Sequence, residues 1–243
     1  MSDQAALEAF LDKWRVRWPE WRIAEVFVPA HQRATTLAWL ALRQELADAA
    51  WDGADPRPGA AKLAWWNDEL RGWAQGRRRH PLGLALQRVA APWDALAGAL
   101  PALEAARDAP LQPGEGLASL HAALAPFVVA AGAVSAGVVS SAAPADADRA
   151  AAPVAGESPG NALAATLSAM RALVRDGDPE AAKALLDAWP PRPAGTRADR
   201  IFAALARERL RALRAHEGHR NLAPSHWHTL WAAWRAGRSI PRA

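Results

Sequence analysis

The chain has 243 residues, of which 51% are hydrophobic and 22% are charged, and its formal net charge is +4. This composition is typical of a globular protein, and the absence of cysteine excludes disulfide scaffolds, zinc–thiolate sites, iron–sulfur clusters and thiol nucleophiles. The positive charge is too modest to indicate a nucleic-acid partner, and we expect none.

Apolar residues recur at helical spacing along most of the chain. The clearest stretches are Thr35, Trp39, Leu42, Leu46 and Ala49, then Leu63, Trp66, Leu70 and Trp73, then Phe202, Ala206, Leu210 and Leu213. Steps of three and four residues are typical of an α-helix with one buried face, and no alternating run indicates a strand. Turns rich in proline and glycine separate the stretches, and none is long enough to divide two domains. The sequence therefore predicts an all-α fold in a single domain over residues 1–243.

Two adjacent tryptophans, Trp65 and Trp66, lie in the second of these stretches. Trp66 falls on the stripe formed by Leu63 and Leu70, so we expect it in the core. Trp65 precedes Trp66 by one residue and therefore lies about 100° away from it round the helix axis. We expect Trp65 to pack beside the core or to line the wall of a cavity.

Residues 122–143 carry no charge and are long enough to span a bilayer. They consist mainly of alanine, glycine and serine, with Pro126 among them, and such residues give little free energy of transfer into lipid. We therefore expect a buried core helix, with a membrane span as the alternative.

A set of short motifs follows in order through the first third of the chain. They are Pro29-Ala-His-Gln-Arg33, Glu45-Leu-Ala47, Gly59 and Lys62-Leu-Ala-Trp-Trp-Asn-Asp-Glu-Leu70. Their order and spacing resemble the squalene/phytoene synthase family, and within it the short branch that includes mitochondrial complex I assembly factors. The resemblance continues through residues 127–137 and 160–172. It implies an isoprenoid-synthase fold, a helical bundle around a central cavity.

In active members of that family, two DxxxD motifs on facing helices hold Mg²⁺ ions that bind the diphosphate of a prenyl substrate. The ungapped position of the first motif falls here on Ala47 and Trp51, neither of which can bind a metal. A literal pair, Asp48 and Asp52, lies one residue later, which is about 100° round the helix. The resemblance therefore leaves the first metal site in doubt.

The second motif is further from the pattern of active members. Gly160, Ala162 and Arg171 are kept, but Ala172 stands where the aspartate is expected. Asp176 and Glu180 would substitute only if the register shifted by four residues, and their surroundings predict an exposed turn.

We therefore expect a catalytically degenerate member of the family, which binds an apolar ligand or acts as an assembly-type protein. It would use no metal and no cofactor, and Trp65 and Arg171 are the candidate ligand-binding residues. Expected partners are an isoprenoid or lipid-like ligand and a protein or membrane surface, in the cytoplasm or peripheral to a membrane. The alternative is an active Mg²⁺-dependent prenyltransferase that condenses isoprenyl diphosphates. Its catalytic candidates are Asp48, Asp52, Asp176 and Glu180.

Overall fold

Helices dominate the computed structural model, which describes residues 2–141, 160–215 and 225–238. The α-helices are α1 (Asp3–Arg17), α2 (Trp21–Ala24), α3 (Arg33–Trp51), α4 (Arg57–Ala74), α5 (Gly83–Leu86), α6 (Trp93–Ala99), α7 (Pro101–Ala105), α8 (Glu115–Ser141), α9 (Asn161–Arg171), α10 (Pro179–Asp187), α11 (Arg197–Ala215) and α12 (His226–Arg238). Two 3₁₀ segments, Glu25–Phe27 and Ala30–Gln32, lead into α3, and a π-helical turn, Ala172–Asp176, extends α9. No strand occurs within these ranges, so the all-α prediction is confirmed.

Helix α3 lies at the centre of this fold. It packs against α1, α4, α5, α7, α8 and α9. Its side chains are buried on nearly every side, including the polar side chains of Arg43 and Gln44. The predicted stripe is confirmed at Trp39, Leu42, Leu46 and Ala49, which are all buried. All twelve helices contribute buried apolar side chains to the core that surrounds α3.

Helix α4 packs against α3 and α6 through the stripe that its sequence predicts. Leu63, Trp66, Leu70 and Trp73 are all buried. The first turn of α4 approaches the end of α3 so closely that a Cβ on Gly59 would lie 2.1 Å from the carbonyl oxygen of Ala49. Glycine is therefore required at this position, which gives a packing reason for the glycine in the motif set.

Helix α8 is long and apolar enough to cross a bilayer by length and composition, but 39% of its most apolar window is buried inside the protein. One face packs against α3, α6, α7 and α9. The opposite face, which includes Val129, is exposed. The prediction of a core helix over residues 122–143 is thus correct for one face, and residues 142 and 143 lie outside the described ranges.

Helix α12 packs chiefly against α11, with further contacts to α2. Its inward face is made of small side chains: Thr229 and Ala233 are fully buried, and Gly237 lies against Phe27 and Ile201. Small residues at this contact allow α12 to pack closely on α11. The large side chains of α12 consequently lie on its other face.

Candidate functional site

The inward face of α3 carries the positions at which the family resemblance expects metal-binding aspartates. Arg43, Ala47 and Trp51 follow one another at four-residue intervals and therefore share this face. Ala47 and Trp51 are completely buried, and the indole Nε1 of Trp51 donates to the carbonyl oxygen of Leu103 at 3.0 Å. Apolar groups that form part of the core thus occupy both positions.

One helical turn before Ala47, the guanidinium of Arg43 forms an ion pair with Asp199 of α11. Arg43 Nη1 lies 2.6 Å from Asp199 Oδ1, and the two side chains are 0% and 5% exposed. The Arg43 Cζ atom lies 5.6 Å from the centre of the Trp39 ring and 5.3 Å from that of Phe202. The charged pair is therefore enclosed by aromatic side chains, away from water.

Two hydroxyl groups complete the polar cluster around Asp199. Thr196 Oγ1 donates to Asp199 Oδ2 at 2.7 Å, and Ser135 Oγ lies 3.4 Å from Oδ1. Ser135 in turn accepts a hydrogen bond of 2.9 Å from Trp39 Nε1. The cluster thereby links α3, α8 and α11 through the interior.

The electrostatics of this pair disfavour an additional anion. Burial lowers the pKa of Arg43, and the opposite charge of Asp199 opposes that shift only in part. Arg43 and Asp199 together carry no net charge, so the pair offers little attraction to a diphosphate. Arg43 Nε and Nη2 are buried without a hydrogen-bond partner among the described residues, so the pair is also incompletely satisfied.

The first pair of candidate acids lies at the end of α3 and faces other partners. Asp48 forms an ion pair of 2.7 Å with Arg17 of α1 and accepts a hydrogen bond of 2.8 Å from Gln44. Burial raises the pKa of Asp48 above its ordinary value, and the nearby Arg17 and Gln44 offset that rise only in part. Asp52 is the exposed C-cap of α3, and its Oδ1 accepts from the backbone N–H of Gly53. Each of these carboxylates thus has a local structural partner.

Arg171, a candidate ligand-binding residue, is buried and engaged with main-chain carbonyls. Its Nε donates to the carbonyl oxygen of Ala106 at 2.8 Å, and its Nη2 donates to those of Arg107 and Ala109 at 2.8 and 2.7 Å. These carbonyls follow the C-terminal end of α7, where helix carbonyls lack partners within the helix. Arg171 therefore stabilises the chain after α7, and the neighbouring Ala172 is fully buried.

The second pair of candidate acids lies beyond Arg171. Glu180 is exposed in the first turn of α10, 4.0 Å from Lys183. Asp176 ends the π-helical turn, and the position of its side chain lies outside what the structure describes. Among the described residues, no group of three or more His, Asp or Glu side chains is arranged to hold a metal ion.

Trp65, the other candidate for ligand binding, lies on the flank of α4 and is 37% exposed. Its ring contacts those of Trp66 and His80, at 5.1 and 6.0 Å between centroids, and the guanidinium of Arg79 lies 5.2 Å from it. The prediction that Trp66 is core is confirmed. Trp65 packs beside it against the loop that follows α4.

That loop is held by Glu69, a buried acid that the sequence pattern does not single out. Glu69 accepts hydrogen bonds from the backbone N–H groups of Arg79 and His80 and from Trp73 Nε1, at 2.7 to 2.8 Å. Burial would raise the pKa of Glu69, but these bonds outweigh it and the pKa is lowered. A surface groove of 480 Å³ opens beside this carboxylate. It is lined by Asp68, Glu69, Arg71, Gly72, Gln75, Arg77, Arg78 and Arg79.

The ion pair of Arg43 and Asp199 is the feature that sequence reasoning missed, although two signals were present. Arg43 is a charged residue at a position that shares the helix face of Trp39 and Ala47, both of which are buried. Thr196 and Asp199 have the spacing of a capping box at the start of α11. The backbone N–H of Asp199 indeed donates to Thr196 Oγ1 at 3.2 Å.

The fold and this cluster define an all-α protein whose central helices are joined by a buried ion pair. Comparison of the chain with protein-family models, with characterised proteins and with solved structures finds no match. The family resemblance therefore stays a prediction that rests on the motifs in the sequence.

Proposed function

We propose that this chain is a catalytically degenerate relative of the squalene/phytoene synthases. It binds an apolar ligand or acts as an assembly-type protein, in the cytoplasm or peripheral to a membrane. The packing of α3 carries the proposal. Ala47 and Trp51 are fully buried where metal-binding aspartates are expected, and Ala172 is fully buried at the corresponding place after α9. A Mg²⁺ ion requires several oxygen ligands in near-octahedral geometry, and these three side chains provide none.

The electrostatics of the interior support the same proposal. A prenyl diphosphate carries about three negative charges, and transferring them into an apolar interior without cations is very costly. Arg43, a buried cation one helical turn before Ala47, is already paired with Asp199. If the interior accepts a ligand, a neutral isoprenoid or lipid-like molecule fits it better than a diphosphate.

The competing function is a prenyltransferase that binds Mg²⁺ through the candidate acids Asp48, Asp52, Asp176 and Glu180. It requires Asp48 to leave Arg17 and Gln44 in order to bind a metal. It also requires Glu180, which is exposed beside Lys183, to act together with Asp48. Asp48 lies on α3 and Glu180 lies on α10, and each already has a charged partner, Arg17 and Lys183 respectively. A non-catalytic role therefore needs fewer rearrangements than catalysis.

The test is to incubate the purified chain with farnesyl and geranylgeranyl diphosphate and Mg²⁺, and to measure diphosphate release. We expect no turnover above that of buffer. Sustained release that is lost in Asp48→Ala or Asp176→Ala, and kept in the exposed control Asp12→Ala, would refute the proposal. A parallel thermal melt with farnesol reports whether the interior accepts an uncharged isoprenoid, which would favour ligand binding over a purely assembly-type role.

A further inference from the structure

The tryptophans of this chain fall into two groups that differ sharply in exposure. Nine of the 13 are buried, namely Trp14, Trp18, Trp21, Trp39, Trp51, Trp66, Trp73, Trp93 and Trp189. Three of the others lie together on α12, where Trp227 is 80% exposed, Trp231 57% and Trp234 41%. Side chains of this size are normally buried, so three exposed indoles on one short helix require an explanation.

The geometry of α12 places these indoles on a single surface. At about 100° per residue, Trp227, Trp231 and Trp234 lie within roughly 60° of one another, and the exposed Leu230 extends the same apolar stripe. We call these four residues the α12 tryptophan face. Because the opposite face of α12 packs on α11, the tryptophan face is directed away from the core.

Two arginines border the α12 tryptophan face at its C-terminal end. The Arg235 guanidinium lies 4.4 Å from the centre of the Trp231 ring, and that of Arg238 lies 4.6 Å from the centre of the Trp234 ring. Neither has an ion-pair partner among the described residues, and the sequence from His226 to the end contains three arginines and no acid. Helix α12 thus combines exposed indoles with two arginines that no acid among the described residues pairs with.

We propose that the α12 tryptophan face docks on an anionic phospholipid membrane, with its indoles at the level of the headgroups. Tryptophan is enriched at membrane–water interfaces because its ring is apolar while its N–H remains hydrated. Arginines next to such a face attract anionic lipids and extend towards the phosphates. The positive charge of α12 is complementary to this partner.

The exposed face of α8 differs from the α12 tryptophan face in its side chains. It is also apolar, but Ala122, Ala125, Val129 and Ala133 are small, and no arginine or tryptophan lies among them. It therefore lacks both the interfacial side chains and the positive charge that define the α12 face. The docking proposal depends on α12 alone and holds whether or not the interior retains catalysis.

The experiment is flotation of the full chain with vesicles of phosphatidylcholine, either pure or containing 30% phosphatidylserine, at about 0.1 M salt. We expect binding to the anionic vesicles that falls steeply at about 0.5 M salt, because the Debye length shortens. Replacing Trp227, Trp231 and Trp234 together by Ser should lower the partition coefficient about a thousandfold, since burial of each large apolar side chain corresponds to about a tenfold change.

The charge contribution is tested separately by Arg235→Gln with Arg238→Gln. The affinity for anionic vesicles should fall about 25-fold, at roughly fivefold per arginine, while binding to neutral vesicles should not change. Arg57→Gln with Arg88→Gln removes the same charge from exposed positions elsewhere and should keep the parental affinity. Val16→Gln, at an apolar site that is 78% exposed on α1, is the matched control for the indoles.

All variants alter exposed side chains and should melt at the parental temperature, so a loss of binding would not reflect unfolding. A parent chain that fails to float with anionic vesicles would overturn the proposal. So would tryptophan variants that bind as tightly as the parent. If the parent ignores vesicles but forms dimers that the tryptophan substitutions abolish, the face is instead a protein interface and the lipid proposal is wrong.

Discussion

Breaking the buried ion pair of Arg43 and Asp199 should strongly destabilise the protein. Arg43→Met removes the 2.6 Å pair and leaves a carboxylate whose side chain is only 5% exposed without its cation. Removing one partner of a buried pair costs about 3–5 kcal/mol, because the remaining charge is uncompensated. Thr196 still donates to Asp199 at 2.7 Å, so we expect a cost near the lower end, about 3 kcal/mol.

The double variant Arg43→Met with Asp199→Asn separates the value of the pair from the cost of an orphaned charge. Asparagine keeps an acceptor for Thr196 but carries no charge, so we expect it to recover at least half of the loss. Arg43 has two buried nitrogens without partners, and replacing an incompletely satisfied pair by neutral groups is often neutral or stabilising.

Urea unfolding followed by far-UV circular dichroism at pH 7 measures these changes as shifts in the midpoint at constant slope. Arg57→Met serves as the control, because its pair with Asp55 is at the surface, and it should leave the midpoint unchanged. The reasoning is refuted if Arg43→Met costs less than about 1 kcal/mol, or if the double variant is less stable than Arg43→Met alone.

Three further predictions concern α4 and the loop that it holds. Trp66→Ala should lower the free energy of unfolding by about 3–5 kcal/mol in the same urea assay, because a fully packed indole is lost; parental stability would show that its contacts are misassigned. Gly59→Ala should cost at least about 2 kcal/mol, because the new Cβ would lie 2.1 Å from the Ala49 carbonyl oxygen, whereas Gly98→Ala, where the added Cβ meets nothing within 4 Å, should not destabilise the protein. The lowered pKa of Glu69 contributes stability that is present above the unfolded value of about 4.3 and is lost as pH falls through the folded value. The difference in melting temperature between the parent and Glu69→Gln should therefore shrink between about pH 6 and pH 3, and a difference independent of pH would contradict this assignment.

The helices and their buried stripes could be predicted because they depend on local periodicity. Leu63, Trp66 and Leu70 share one face of any helix built from that segment, and Trp65 lies on its flank. The absence of alternating apolar runs likewise excluded a sheet before any contact was known. These features need no information about distant parts of the chain.

The roles of the buried polar side chains could not be predicted in this way. Arg43 and its partner Asp199 are 156 residues apart, and only the packing of α3 against its neighbours makes the pair possible. Arg171 matches a ligand-binding position by motif, yet in the structure its guanidinium donates to carbonyls that follow α7. A side chain's partner depends on which helix ends lie nearby, and this is a property of the tertiary arrangement.

Helix α12 shows the same limit for apolar residues. Periodicity determines that Trp227, Trp231 and Trp234 share a face, and by itself it favours placing that face in the core. The structure places Thr229 and Ala233 inward instead, where α12 packs on α11 and α2, and leaves the three indoles on the outer face. The sequence thus determined which residues lie together, and the close approach of neighbouring helices decided which side of α12 meets water.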